Sequence, residues 1–204
     1  MREYETRVAT PHDITGMAQF ETRKLLELIM NGVLPECDLS FGSDEICPRI
    51  DFNQLRRMRA THLENDQGQN GRVQIVCLDR NGQITGSGKV RIVPEEKRAV
   101  FYGNYADRNT GLHVLRASIK ELEKLESEFG TTIPAVSIIR YEQSENSKPF
   151  FKTIAGWVNG AKTDSIIIDT YKWKGHNVFR FTTSRDVFED LVEEFAPKVS
   201  AFLS

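Results

Sequence analysis

The chain is short of cysteine, of clustered histidine and of long apolar runs, and each shortage closes a class of function. Three cysteines, Cys37, Cys47 and Cys77, occur in 204 residues with no Cys-x-x-Cys spacing. That count argues against a disulfide framework, a zinc ribbon or a thioredoxin-type redox centre. Cys77 falls in an apolar strand pattern and is expected in the core; Cys37 and Cys47 flank one loop and would pair only in an oxidising setting. The four histidines are scattered without metal-ligand spacing, so no metal is expected. No apolar run approaches the roughly 20 residues that span a bilayer. The opening Met-Arg-Glu-Tyr-Glu lacks the apolar core of a secretory signal. A net charge of −2 supplies no bulk attraction for nucleic acid or an anionic membrane. The expectation is a cytoplasmic protein with neither kind of partner.

What is present reads as one α/β unit. Hydrophobic residues make up 39% and charged residues 27%, an ordinary balance for a folded domain. Alternation over Glu5–Ala9 predicts a first strand. Thr10-Pro11-His12-Asp13 then predicts a capped helix start, with the Asp13 side chain reaching back and apolar residues at helical spacing to about Asn31-Gly32. Residues 33–50 read as loop, Asp51–His62 as a second helix with a wet arginine face (Arg56, Arg57, Arg59), and Glu64–Gly71 as a flexible turn. Val73–Leu78 and Ile84–Val93 predict a hairpin through Asn81-Gly82, and Ala99–Tyr105 a third strand. Leu112, Leu115, Ile119, Leu122, Leu125 and Phe129 form one apolar stripe that Gly130 stops. Pro134–Tyr141 predicts a buried strand, 142–149 a polar patch, and the next residues a short helix ending near Ala155-Gly156. A terminal hairpin (Ser165–Trp173, Asn177–Thr183) and a helix from about Arg185 to Leu203 complete the chain. The division expected is a domain over 1–184 with a helical extension over 185–204, whose apolar stripe packs on its own domain or against a partner or second copy.

The segment Asn104-Tyr105-Ala106-Asp107-Arg108-Asn109-Thr110-Gly111-Leu112-His113 joins the third of these strands to the longest helix. A strand-to-helix junction aims the free amides of a helix N-terminus into the loop, where they attract phosphate. Arg108 adds a fixed positive charge and Gly111 lets a ligand approach the backbone. The plainer reading is a helix start with Arg108 solvated.

Three segments resemble the GCN5-related N-acetyltransferase (GNAT) superfamily. Arg7-Val-Ala-Thr-Pro-His-Asp13-Ile is similar to its opening strand and helix start. Arg108-Asn-Thr-Gly111-Leu-His113 is similar to its Arg/Gln-x-x-Gly-x-Gly/Ala acyl-CoA signature. Asn146-Ser-Lys-Pro-Phe-Phe-Lys-Thr-Ile-Ala-Gly156-Trp157 is similar to its late motif. The element order also matches, over about residues 4–183. The resemblance implies a mixed, mostly antiparallel twisted sheet flanked by helices, in which the fourth strand splays from the fifth to admit the pantetheine arm of acetyl-CoA. Tyr102, Gly103, Asn104 and Tyr105 would face that arm. Arg108, Asn109, Thr110, Gly111, Leu112 and His113 would surround the diphosphate, and Asn146 would lie near a pantetheine amide. The implied reaction is transfer of an acetyl group to an amine, on a small molecule or a peptide.

Two positions depart from the family pattern. His113 stands where the signature ends in Gly or Ala, so its ring could crowd the diphosphate. Phe151 or Lys152 stands where the family places its Tyr acid; Tyr141, Tyr105 and Glu142 are substitutes, none of them preferred. A second function therefore stands beside the first: a non-catalytic protein of the same fold, binding or building in a larger assembly such as a virus particle.

Overall fold

The computed structural model describes residues 4–30, 52–66, 71–107, 110–141, 166–173, 176–190 and 192–193. The loop expected over 33–50, with Cys37 and Cys47, lies outside them, as do Arg108, Asn109, the 142–149 patch with Asn146, the short helix after it, and the chain beyond 193.

Strand β1 (Tyr4–Val8) leads through a 3-10 turn (Pro11–Asp13) into helix α1 (Ile14–Met30). Asp13 closes the start of α1 as its spacing predicts. Its Oδ2 accepts from the Thr10 amide (2.7 Å) and hydroxyl (2.8 Å), while Arg7 donates to both carboxylate oxygens at 2.6 and 2.7 Å. Burial raises the Asp13 pKa, but the bonds from Arg7 and Thr10 outweigh it and hold the carboxyl below its ordinary 3.8. A lowered folded-state pKa gives stability at neutral pH that is lost as pH falls through that value. Asp13→Asn is expected to cost about 1–2 kcal/mol at pH 7. In urea titrations from about pH 5 down to about pH 2.5, the gap between parent and variant should close; a gap independent of pH would refute the assignment.

Helix α2 (Phe52–Asp66) runs one turn past the expected end, so Glu64 to Asp66 is helix rather than flexible turn. Strands β2 (Arg72–Asp79), β3 (Ile84–Val93) and β4 (Arg98–Ala106) follow, then helix α3 (Gly111–Phe129), β5 (Ala135–Tyr141), β6 (Ile166–Trp173) and β7 (His176–Ser184). In the β2–β3 turn only Gly82 takes a positive φ, 74°, not both central residues. The Asp79 amide donates to the Gln83 carbonyl at 2.9 Å, closing a three-residue loop, and the Asp79 carboxylate accepts from the Asn81 and Gln83 amides.

The sheet has seven strands in the order β1-β2-β3-β4-β5-β7-β6. Every adjacent pair is antiparallel except β4 with β5. Alternation along β2 splits the core. Val73 and Ile75 join Val90, Phe101, Leu122 and Leu125 beneath α3, while Val76 joins Met17 and Leu63 beneath α1 and α2. The mixed, mostly antiparallel α/β architecture expected from the sequence is the one observed.

Helical residues resume at Arg185. Phe188 and Val192 enter the α3-side core, and the Phe188 ring lies 5.3 Å from that of Phe101. Arg185 pairs with Glu126 of α3 and with Glu189, and Arg116 of α3 meets Glu193 at 2.7 Å. This first part of the terminal helix thus packs on its own domain.

A further expectation is corrected. Arg59 is not on a wet face: it is buried and donates to Glu21 of α1, which is 1% exposed. Arg56 and Arg57 are exposed as expected. No helix among the described residues is long and apolar enough to cross a membrane.

Candidate functional site

Strands β4 and β5 part company halfway. Their parallel ladder runs from Arg98↔Ala135 to Phe101↔Ile138 and stops there, although β4 continues to Ala106 and β5 to Tyr141. Beyond Phe101, β4 pairs only with β3, and β5 only with β7. The β5-facing backbone edge of Tyr102, Gly103, Asn104 and Tyr105 is therefore not laddered to β5, and this break between the two strands is the gap. Unpaired strand edges present amide and carbonyl groups ready to pair with an extended ligand. β4 is also bulged here. Lys89 pairs with Tyr102 and Ser87 with Tyr105, so Gly103 and Asn104 together oppose Gly88. A bulge re-aims backbone groups locally, and it stands at the mouth of the gap.

The β4–α3 loop is pinned at both ends to one carbonyl. The Asp107 amide donates to the Thr85 carbonyl at 2.8 Å, and the buried Thr110 hydroxyl donates to the same oxygen at 2.6 Å. With its hydroxyl so engaged, Thr110 provides no side-chain cap for α3. The first intrahelical bond is Val114 N–H to the Thr110 carbonyl, so the amides of Gly111, Leu112 and His113 precede the helical ladder. Together with the positive end of the helix dipole they form an anion-attracting terminus.

Two glycines shape this end. A Cβ on Gly86 would lie 2.9 Å from Val114 Cγ2 and 3.1 Å from Thr110 Oγ1, so glycine is what lets α3 start directly on β3. A Cβ on Gly111 would meet only Ala106 Cβ, at an ordinary 3.5 Å. Nothing in the described chain itself requires glycine at 111.

The His113 ring packs on Tyr4, centroids 5.3 Å apart and planes at 46°. Tyr4 belongs to β1, the edge strand on the side of the sheet away from the gap. Of the residues assigned from sequence, the structure brings Tyr102–Tyr105 and Thr110–His113 to the same end of β4. Arg108, Asn109, Asn146, Glu142, Phe151 and Lys152 fall outside the described residues. No group of His, Cys, Asp and Glu among the described residues could hold a metal. Cys77 is a buried thiol whose pKa burial pushes up, so it is inert packing.

Sequence reasoning missed Asp107, Arg23 and Lys24. The Asp107 carboxylate meets Arg23 at 2.8 Å and Lys24 at 2.7 Å, tying the loop to α1. The available signal was an acid directly beside the signature arginine, where an unneutralised negative charge would oppose phosphate.

No protein-family model and no curated protein matches the sequence. Solved structures do match in shape. A chimaera of the spermidine N-acetyltransferase SpeG from Vibrio cholerae superposes with a TM-score of 0.53 at 8% identity, covering 92% of this chain and 98% of that one. A GNAT-family acetyltransferase from Staphylococcus aureus gives 0.54 at 8% identity, over 89% and 98%. RimL, a ribosomal L7/L12 alpha-N-protein acetyltransferase solved with coenzyme A, gives 0.53 at 13% identity, over 90% and 95%. With the splayed strands and the uncapped α3 terminus, these likenesses establish that the chain has the GNAT acetyltransferase fold.

Proposed function

We propose that this protein is an acyl-CoA-dependent N-acyltransferase that moves an acetyl group from acetyl-CoA to an amine on a small molecule or peptide. The observation that carries the reading is the gap between β4 and β5, which ends at the uncapped amides of α3. In it, the β4 edge from Tyr102 to Tyr105 pairs with the pantetheine amides, and the amides of Gly111, Leu112 and His113 hold the diphosphate. Arg108 and Asn109 of the same loop, and Asn146, belong to this set by their sequence positions. The amine nitrogen attacks the thioester carbonyl, the C–N bond forms as C–S breaks, and the thiolate leaves with the proton the amine gives up. The protein's share is chiefly to hold the two reactants in line. The group that handles the proton stays unassigned among Tyr105, Tyr141, Glu142 and Lys152.

The non-catalytic alternative had two grounds. The first was His113 crowding the diphosphate; the packing of its ring on Tyr4 supports room for the diphosphate. The Phe151 or Lys152 substitution lies outside the described residues. Residence in the cytoplasm is part of the same reading.

Thermal unfolding with acetyl-CoA tests it. At 100 times the dissociation constant, a ligand of the folded state adds about 2.7 kcal/mol, visible as a rise in midpoint of several degrees. Gly111→Ala should leave the ligand-free protein within about 1 kcal/mol of the parent, because the methyl has room. The same variant should weaken acetyl-CoA about tenfold or more, because the methyl intrudes where the diphosphate lies. No rise at millimolar acetyl-CoA ends the enzyme reading; an undiminished rise in the variant moves the diphosphate elsewhere.

A further inference from the structure

The loop between β4 and α3 is braced from the opposite face of the sheet. Helix α3 covers one face and α1 the other, yet α1 reaches the loop at the end of β4. Arg23 Nη2 lies 2.8 Å from one Asp107 oxygen and Lys24 Nζ 2.7 Å from the other. Both cations are themselves held. Lys24 also meets Glu27 at 2.7 Å, and the Arg23 guanidinium lies over the Phe20 ring, 5.2 Å from its centroid. Burial works against both charges of the Lys24–Asp107 pair, but their hydrogen bonds prevail, raising the pKa of Lys24 and lowering that of Asp107. The Asp107 backbone is fixed at the same point by its bond to Thr85.

We infer that Asp107 is a positioning residue for the diphosphate loop: its carboxylate, gripped by Arg23 and Lys24 of α1, sets where the loop leaves β4, so that the α3 amides are arranged before the coenzyme arrives. The inference rests on the coenzyme reading of that loop. An acid beside a diphosphate is unfavourable by Coulomb's law alone, so bare electrostatics and positioning predict opposite signs for its removal. Neutralising the acid relieves repulsion and should tighten binding if charge is all that matters. If the carboxylate holds the loop, neutralising it should weaken binding, because the coenzyme must then order the loop itself.

The test compares the parent with Asp107→Asn and Asp107→Glu in the full chain. Acetyl-CoA affinity is read by titration calorimetry, and amide exchange at 110–114 is read without ligand. Asp107→Asn is expected to weaken acetyl-CoA about tenfold and to speed exchange in that stretch, with exchange in the middle of α3 unchanged. Asp107→Glu, which keeps the charge and can reach both cations, should recover most of the affinity. Equal or tighter binding by Asp107→Asn, or unchanged loop exchange, overturns the role of Asp107 while leaving the coenzyme reading intact. A parent that binds no acetyl-CoA brings down both.

Discussion

Replacing Glu21 by alanine is expected to remove about 3–5 kcal/mol of folding stability, a large part of what a domain of this size possesses. Glu21 of α1 is 1% exposed and accepts from Arg59 of α2, Nε to Oε2 at 2.7 Å, with a second contact from Nη2. Its other oxygen lies 3.5 Å from the Ser87 hydroxyl on β3. Deleting the carboxylate takes from the buried guanidinium an anion that offsets its desolvation. The pair need not stabilise relative to an apolar one, since an ion pair inside a protein recovers little beyond its own dehydration. The double variant Glu21→Leu with Arg59→Met should therefore regain most of the loss. Denaturant titration of the two singles and the double decides it. A single-variant cost below about 1 kcal/mol, or a double variant as unstable as the worse single, would show that the pair does not join the two helices as described.

Phe101→Ala is the second large effect, expected at about 3–5 kcal/mol. Phe101 is fully buried, is the last β4 residue paired with β5, and packs against Phe188 of the terminal helix. It sits where the gap begins, so its loss should reach both the core and the mouth of the site. The unfolding free energy should fall by that amount, and acetyl-CoA affinity should fall with it as the two strands lose their common anchor. A loss under about 1.5 kcal/mol would mean that the terminal helix and the strand junction do not share one core.

The strands and helices were legible because their patterns are local. The helical stripe from Leu112 to Phe129 with its stop at Gly130 predicts α3 to within a residue, and the spacing of Asp13 predicts the bond its carboxylate accepts from the Thr10 amide. The site was legible as a stretch of chain. The parting of β4 from β5 was reached through family resemblance, because strand separation is a property of two segments with no local code. The Glu21–Arg59 pair was missed although a mark of it is present. Glu21 stands four residues after Met17 and four before Leu25, and Arg59 four after Leu55 and four before Leu63. Each charge interrupts an apolar stripe, and two interruptions of opposite sign on successive helices imply each other. Asp107 was missed for a different reason: its partners lie more than eighty residues earlier, and only the tertiary fold brings Arg23 beside it.

The sheet consists of two antiparallel sets of strands, β1 to β4 and β5 to β7, stitched together by four parallel residue pairs. The other ladders carry five to eight residue pairs each, so this stitch is the shortest of the sheet. A seam with the fewest backbone bonds is the first to give way when the sheet opens locally. A molecule lodged in the notch above it would splint the halves, so part of its affinity would be spent on cohesion of the host, and emptying the notch would loosen the sheet along this line first.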